Sequence, residues 1–209
     1  MKINNLNYIK TIKIGNQTWM ANNLNTLTFQ NGELIPIAKT KKDWKNYALT
    51  KTPAIFLSDE FKGEVLYNYY AVIDNRGILP KEFSIPTFQE VKILLDYLGP
   101  YSGLKLKCSK EEEWPEIAFL EQEERERKLK FGNSTGFSAL PTGMVRQGGE
   151  YGCGFRANYW VFENENSTPF ILQLIEGVEI AAVMNESYLK KNGLKIFECG
   201  FSLRGLKNK

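Results

Sequence analysis

Apolar positions along the chain change period several times, and each change marks an expected element. Near the start, Ile9, Thr11 and Lys13 alternate with Lys10, Ile12 and Ile14. Gly15-Asn16 breaks this run and Gln17-Thr18-Trp19-Met20 resumes it, which predicts strand, turn, strand. Asn31-Gly32, between Leu27-Thr28-Phe29 and Leu34-Ile35, predicts a tight hairpin because both residues tolerate positive φ. Residues 40–47, carrying Trp44, read as a short helix. Residues 65–72 form a tyrosine-rich apolar run whose length suits a buried strand or a short helix. The turn Asp74-Asn75-Arg76-Gly77 ends that run.

The strongest helical pattern covers Phe88–Leu98. Phe88, Val91, Leu94, Leu95 and Leu98 share one face, Thr87 and Glu90 form a capping box, and Gly99-Pro100 ends the helix. Residues 110–130 are a charged block, which reads as a solvated helix or loop inserted in the domain. From Phe131 onward, glycines cut the apolar pieces short. Strands are expected near Phe137, Trp160, Leu172, Ile180 and Phe201, in addition to those near Ile12 and Trp19. A helix in the first half and strands in the second predict an α+β fold with an antiparallel sheet. Without an internal repeat or linker, residues 1–209 read as a single domain.

Composition narrows the chemistry. The 209 residues carry 27 Lys plus Arg and 24 Asp plus Glu, a net charge of +3 that gives no argument for nucleic acid. The chain has no histidine, which removes Ser-His-Asp and Cys-His catalysis, imidazole proton transfer and His-containing metal sites. Cys108, Cys153 and Cys199 are widely spaced and without a CxxC pair, so they read as isolated thiols in a reducing compartment. No apolar stretch is long enough to cross a membrane. Residues 1–13 are polar and lack the apolar segment of a secretory signal. A cytoplasmic or virion-associated location is therefore expected, unless an upstream signal has been removed.

Several segments resemble one family, in order along the chain. Ile14-Gly15-Asn16-Gln17-Thr18-Trp19-Met20-Ala21-Asn22-Asn23-Leu24-Asn25 is similar to the opening of the Fibrobacter succinogenes major paralogous domain. Leu66-Tyr67-Asn68-Tyr69-Tyr70-Ala71-Val72, Gly136-Phe137-Ser138-Ala139-Leu140-Pro141 and Gly200-Phe201-Ser202-Leu203-Arg204 resemble its later motifs. The resemblance implies a C-type-lectin-like fold related to the formylglycine-generating enzyme: a twisted antiparallel sheet, flanking helices and long loops on one side. Departures occur where the family has a Trp-His-Val-Pro motif and this chain has Phe83-Ser84-Ile85-Pro86, and where Gly205 follows the closing Arg204.

On that scaffold the expected function is non-catalytic recognition of a protein or glycan by a loop surface. The candidate ligand-binding residues are Arg156, Asn158, Tyr159, Glu163, Asn164, Glu165 and Asn166, joined by a loop over residues 185–193. They supply aromatic faces, amides and carboxylates. Glu163 to Asn166 also carry oxygen ligands of the kind calcium uses, but calcium takes about six to eight donors. The segment is read as a solvated polar turn, and no metal or cofactor is assigned. Two alternatives accompany this reading. One is a structural subunit of a phage particle or injection machine. The other is an oxidase like the formylglycine-generating enzyme, which would need paired cysteines where this chain has only Cys153 and Cys199 in its second half.

Overall fold

The computed structural model describes residues 9–108, 114, 121–147, 149–164, 168–191 and 193–208. Strands β1 (Thr11–Ile14) and β2 (Gln17–Met20) form the expected hairpin. They are followed by α1 (Lys41–Leu49), β3 (Ile55–Leu57), β4 (Val65–Asn68) and the single turn α2 (Tyr69–Val72). Next come β5 (Phe83–Ser84), α3 (Phe88–Leu98), α4 (Ser102–Leu106) and α5 (Gln122–Phe131). The second half supplies β6 (Met144–Arg146), β7 (Gly149–Tyr151), β8 (Arg156–Phe162), β9 (Pro169–Ile175), β10 (Ala182–Asn185), α6 (Glu186–Lys191), β11 (Cys199–Phe201) and β12 (Leu206–Lys207).

These strands form antiparallel sheets ordered β1-β2-β12-β5, β10-β9-β8 and β3-β4-β11-β6-β7. The fold is thus mixed α+β, as the sequence predicts. Isolated parallel bridges tie the sheets together through β8: Gly143 to Ala157, Tyr159 to Ser202 and Thr87 to Phe162. Two buried clusters lie on opposite faces of this strand. Trp160 and Phe162 join one with Tyr67, Met144 and Phe201. Ala157, Tyr159 and Val161 join the other with Trp19, Leu94 and Phe137. Side chains alternate along a strand, so β8 is buried on both faces.

Local chemistry explains the helices. In α3 the Thr87 hydroxyl accepts from the Glu90 N–H at 3.2 Å, while the Glu90 carboxylate accepts from the Thr87 N–H at 2.8 Å. Val91, Leu94 and Leu98 are buried and Gly99 takes positive φ at the end. Thr40 and Asp43 cap α1 in the same way and place Trp44 inward. The run over residues 65–72 is both things its length suited: strand β4, then helical turn α2. Asn68 makes the switch, because its side-chain oxygen accepts from the backbone N–H groups of Ala71 and Ala54 at 2.8 and 3.0 Å.

Three expectations are corrected. Phe137 does not lie in a strand: Ser138 takes φ 52°, which breaks the extended run, and only Ala139 makes a bridge, to Lys107. Ile180 precedes β10, because the Ser102 hydroxyl accepts from the Ala181 N–H at 3.1 Å and holds that backbone against α4. The expected loop over residues 185–193 is largely helix α6, capped where the Asn185 side chain accepts from the Tyr188 N–H at 2.9 Å. In the charged block, α5 buries none of its residues, yet it is not wholly solvated. Arg127 pairs with Glu179 at 2.7 Å and Lys128 with Glu176 at 3.4 Å. Trp114 is fully buried, while residues 109–113 and 115–120 lie outside the described residues.

The chain ends meet around a buried cation. The Arg204 guanidinium donates to the Asn23 side-chain oxygen, with Nε at 3.1 Å, and to the Phe137 carbonyl. It also lies over the Phe137 ring, 4.0 Å from its centroid, and 5.4 Å from that of Tyr159. Asn23 in turn donates to Glu64 at 2.6 Å. Backbone bonds from Met20 to Gly205 and from Leu24 to Leu203 run alongside at 3.0 and 2.8 Å. Gly200 marks another close approach: a Cβ there would fall 2.6 Å from the side chains of Trp44 and Val145.

This packing sets the expected cost of three substitutions. Arg204→Met leaves the Asn23 and Phe137 oxygens unpaired in the interior and is expected to cost about 3 kcal/mol in urea unfolding. Lys92→Ala, which removes only the exposed Lys92–Asp96 pair, is expected to cost under about 0.5 kcal/mol in the same assay. Gly200→Ala forces the packing apart and is expected to cost about 1–3 kcal/mol. A urea midpoint for Arg204→Met or Gly200→Ala equal to the parent's would contradict this account.

Candidate functional site

Strand β8 decides where the sequence-predicted residues go. Seven residues at about 3.3 Å each carry the chain roughly 20 Å, so Arg156 and Glu163 lie at opposite ends of the molecule's central strand. Asn158 and Tyr159, between them, are 0 % and 2 % exposed. The Asn158 amide donates to the Gly143 carbonyl at 2.9 Å and accepts from Gln173 at 2.9 Å. Tyr159 packs edge-on against Phe137, and burial pushes its phenol up to about 12. These two are core residues, which corrects the expectation that they face a ligand. The physical reason is that β8 has no free face.

At the Phe162 end, the Glu163 N–H donates to the Thr168 carbonyl at 3.0 Å, and Glu163 and Asn164 are exposed. Glu165 and Asn166 lie outside the described residues. The register places Phe162 opposite Pro169 and Phe170 opposite Asn185, so α6 starts at this same end. Tyr69 sits 6.1 Å from Phe162 and 4.8 Å from Phe197, ring to ring, and edges an aromatic cluster there.

At the Arg156 end the β6–β7 hairpin runs into a tight, glycine-rich turn that is pinned by backbone bonds. Phe155 and Arg156 both donate to the Gly152 carbonyl, at 3.1 and 3.0 Å. Gly154 donates to Pro141 at 2.8 Å, Gly143 to Arg156 at 2.7 Å and Glu176 to Phe155 at 2.8 Å. Gly143 takes φ 66°, and a Cβ on it would come within 2.5 Å of the Tyr151 carbonyl, so no larger residue fits. On this frame Tyr151 is 44 % and Phe155 53 % exposed. The Arg146 guanidinium stacks 3.9 Å from the Tyr151 ring centroid. The Arg156 stem lies 3.4 Å from where a Gly152 Cβ would be.

A family model described as the Fibrobacter succinogenes major domain matches residues 12–207. The chain belongs to the Fibrobacter succinogenes major domain family. It matches no curated protein and no solved structure. The family match runs from the first strand to the last, so the charged helix α5 and both ends of β8 fall inside this major domain.

Sequence reasoning found Arg156, Glu163 and Asn164 on the surface of this major domain but missed Arg146, Tyr151 and Phe155. The signal was the cluster Gly149, Gly152 and Gly154. Glycines that force a hairpin to turn tightly also push the intervening large side chains outward.

Cys153 and Cys199 are held protonated. Cys153 donates to the Thr142 carbonyl at 3.3 Å and Cys199 to the Lys195 carbonyl at 3.4 Å. Burial first, and nearby Glu150 and Glu198 after it, push each thiol up to about 12. The thiolate is the nucleophile and the metal ligand, so this environment opposes cysteine chemistry. In the native domain at pH 8, Cys153 and Cys199 are expected to react with Ellman's reagent far more slowly than in denaturant; equal rates would contradict the assignment. The linkage has a definite sign. A thiol or phenol raised in the folded state contributes stability below its unfolded pKa and loses it as pH climbs toward about 12. The urea midpoint is therefore expected to fall as pH rises beyond about 9, the range where free thiols and then phenols ionise. A flat profile would refute this.

Proposed function

We propose that this domain is a non-catalytic glycan-recognition module of C-type-lectin-like class, and that its ligand surface is the Arg156 end of β8. The observation that carries the reading is the pair of exposed rings, Tyr151 and Phe155, on either side of a glycine-rich turn whose backbone is fastened at five points. Exposed aromatic faces on a rigid frame lose little conformational entropy when a ligand stacks on them. Sugar rings offer the apolar C–H faces such groups take. The size of the patch supports a glycan over a protein. A stable protein interface engages about 20–30 residues per side, whereas this surface is a single hairpin and one strand end. The fold-class reading is supported by the N-terminal hairpin sharing a sheet with β12, by the flanking helices α1 and α3, and by long irregular connections.

The test is an array of glycans and of folded proteins probed with the intact chain, Tyr151→Ser and Phe155→Ser. Expected is a glycan bound by the parent at least tenfold more tightly than by either variant, and recovered at unchanged mass. A cleaved or modified glycan, binding only to proteins, or variants that bind as the parent does would each overturn the reading.

A further inference from the structure

Resting on that reading of the Arg156 end, we infer that the ligand is an acidic glycan, one bearing uronate carboxylates, and that Arg146 and Arg156 are the groups that hold those carboxylates. The chain's arginines show a contrast. Arg76 forms ion pairs with Asp74 and Glu33 at 2.8 and 2.6 Å, and Arg127 pairs with Glu179. Arg204 is consumed inside the fold. Arg146 and Arg156 are half-buried and, like the exposed Arg125 of α5, pair with no carboxylate among the described residues. Arg146 lies over the Tyr151 ring and Arg156 beside the next residue, Gly152, so two cations and an aromatic face stand along one short stretch of chain. Lys41 adds a third cation, its side chain ending 3.7 Å from where a Cβ of Gly149 would lie.

Two of the nearby carboxylates are engaged elsewhere. Glu150 stands opposite Val145 in the hairpin, whereas Tyr151 stands opposite Met144, so strand alternation sends Glu150 to the other face. There its carboxylate accepts from the Ser58 hydroxyl, from the Asp59 N–H at 3.2 Å and from the Cys153 thiol at 3.8 Å. Glu198 pairs with Lys195 at 3.1 Å. Arg146 and Arg156 thus stay half-buried, without an ion pair among the described residues, near the exposed Tyr151 and Phe155. A guanidinium fork matches a carboxylate in a bidentate pair, while the Tyr151 and Phe155 rings match the pyranose face. A uronate residue carries both groups a few ångströms apart.

The experiment is calorimetric titration of the intact chain with three probes: a galacturonate oligomer, the same oligomer methyl-esterified so that its charge is gone, and poly-glutamate. The inference predicts that the free-acid oligomer binds at least tenfold more tightly than its ester. It also predicts that poly-glutamate binds more weakly than the free acid, and that added salt weakens free-acid binding. Arg146→Gln and Arg156→Gln are each expected to lose about ten- to a hundredfold in affinity for the free acid. Arg125→Gln, on exposed α5, is expected to lose nothing. Urea unfolding of each variant confirms that its fold is kept. Equal binding of acid and ester, with both lost in Phe155→Ser, would leave a glycan module standing and overturn the acidic ligand. Poly-glutamate binding as tightly as the free-acid oligomer, or free-acid binding untouched by Arg146→Gln and Arg156→Gln, would also overturn it. Should neither oligomer bind, the uronate inference fails, while the array decides separately on glycan recognition.

Discussion

The guanidinium of Arg204 is almost completely buried and meets no carboxylate directly among the described residues. Removing such a charge from water costs several kcal/mol even after relaxation, so it persists only where its donors are met and its field is answered. Asn23, the Phe137 carbonyl and the faces of Phe137 and Tyr159 do this together, and Asn23 relays to Glu64. Four segments remote in sequence must therefore come to one point. Three of them are the opening motif through Asn23, the Gly136-Phe137 motif and the closing motif through Arg204. The fourth is β8 through Tyr159. The backbone bonds from Met20 and Leu24 to Gly205 and Leu203 follow from the same constraint. The motifs that identify this family are thus largely the parts that surround one buried charge.

The second constraint is β8 itself. Odd positions face one core cluster and even positions the other. A strand with no wet face can offer a ligand only its two ends, and each end is built differently. The Phe162 end is a polar turn beside an aromatic cluster and the start of α6. The Arg156 end is a glycine-rich hairpin fastened by backbone bonds, on which long side chains stand out. Rigid frame and exposed side chains are the usual division of labour between scaffold and loop.

Helix α5 shows how charge can dock an element that apolar burial does not. Leu129 is mostly exposed, and no residue of the helix is buried. What holds the helix is the pairing of Arg127 and Lys128 with Glu179 and Glu176 in the turn after β9, and the stacking of Phe131 on Tyr101 at 4.8 Å. The Lys128–Glu176 pair is nearly sealed from solvent, so salt screens it less than a surface pair. A run of alternating charges looks the same in sequence whether it docks this way or floats in water.

The sequence alone determined much of this protein. Capping boxes at Thr40 and Thr87, the apolar stripe of α3 and the turns at Gly15 and Gly99 are local, because each depends on residues within one or two turns of one another. The family was legible for a related reason: its motifs are short runs whose spacing along the chain is itself the signal. What tertiary structure decided was the fate of polar residues inside apolar runs. Asn158 and Tyr159 look like ligand groups in sequence, yet they lie inside, because cover on the second face of β8 comes from segments more than 40 residues away in sequence, at Ser202 and Trp19. Arg156 and Glu163 are close in sequence and far apart in space, since an extended strand separates what it connects. Arg146 and Arg156 are brought to one hairpin only by the pairing of β6 with β7 and the turn that leads into β8. Burial and proximity are properties of the packed chain, so no local pattern could have shown which polar residues reach solvent together.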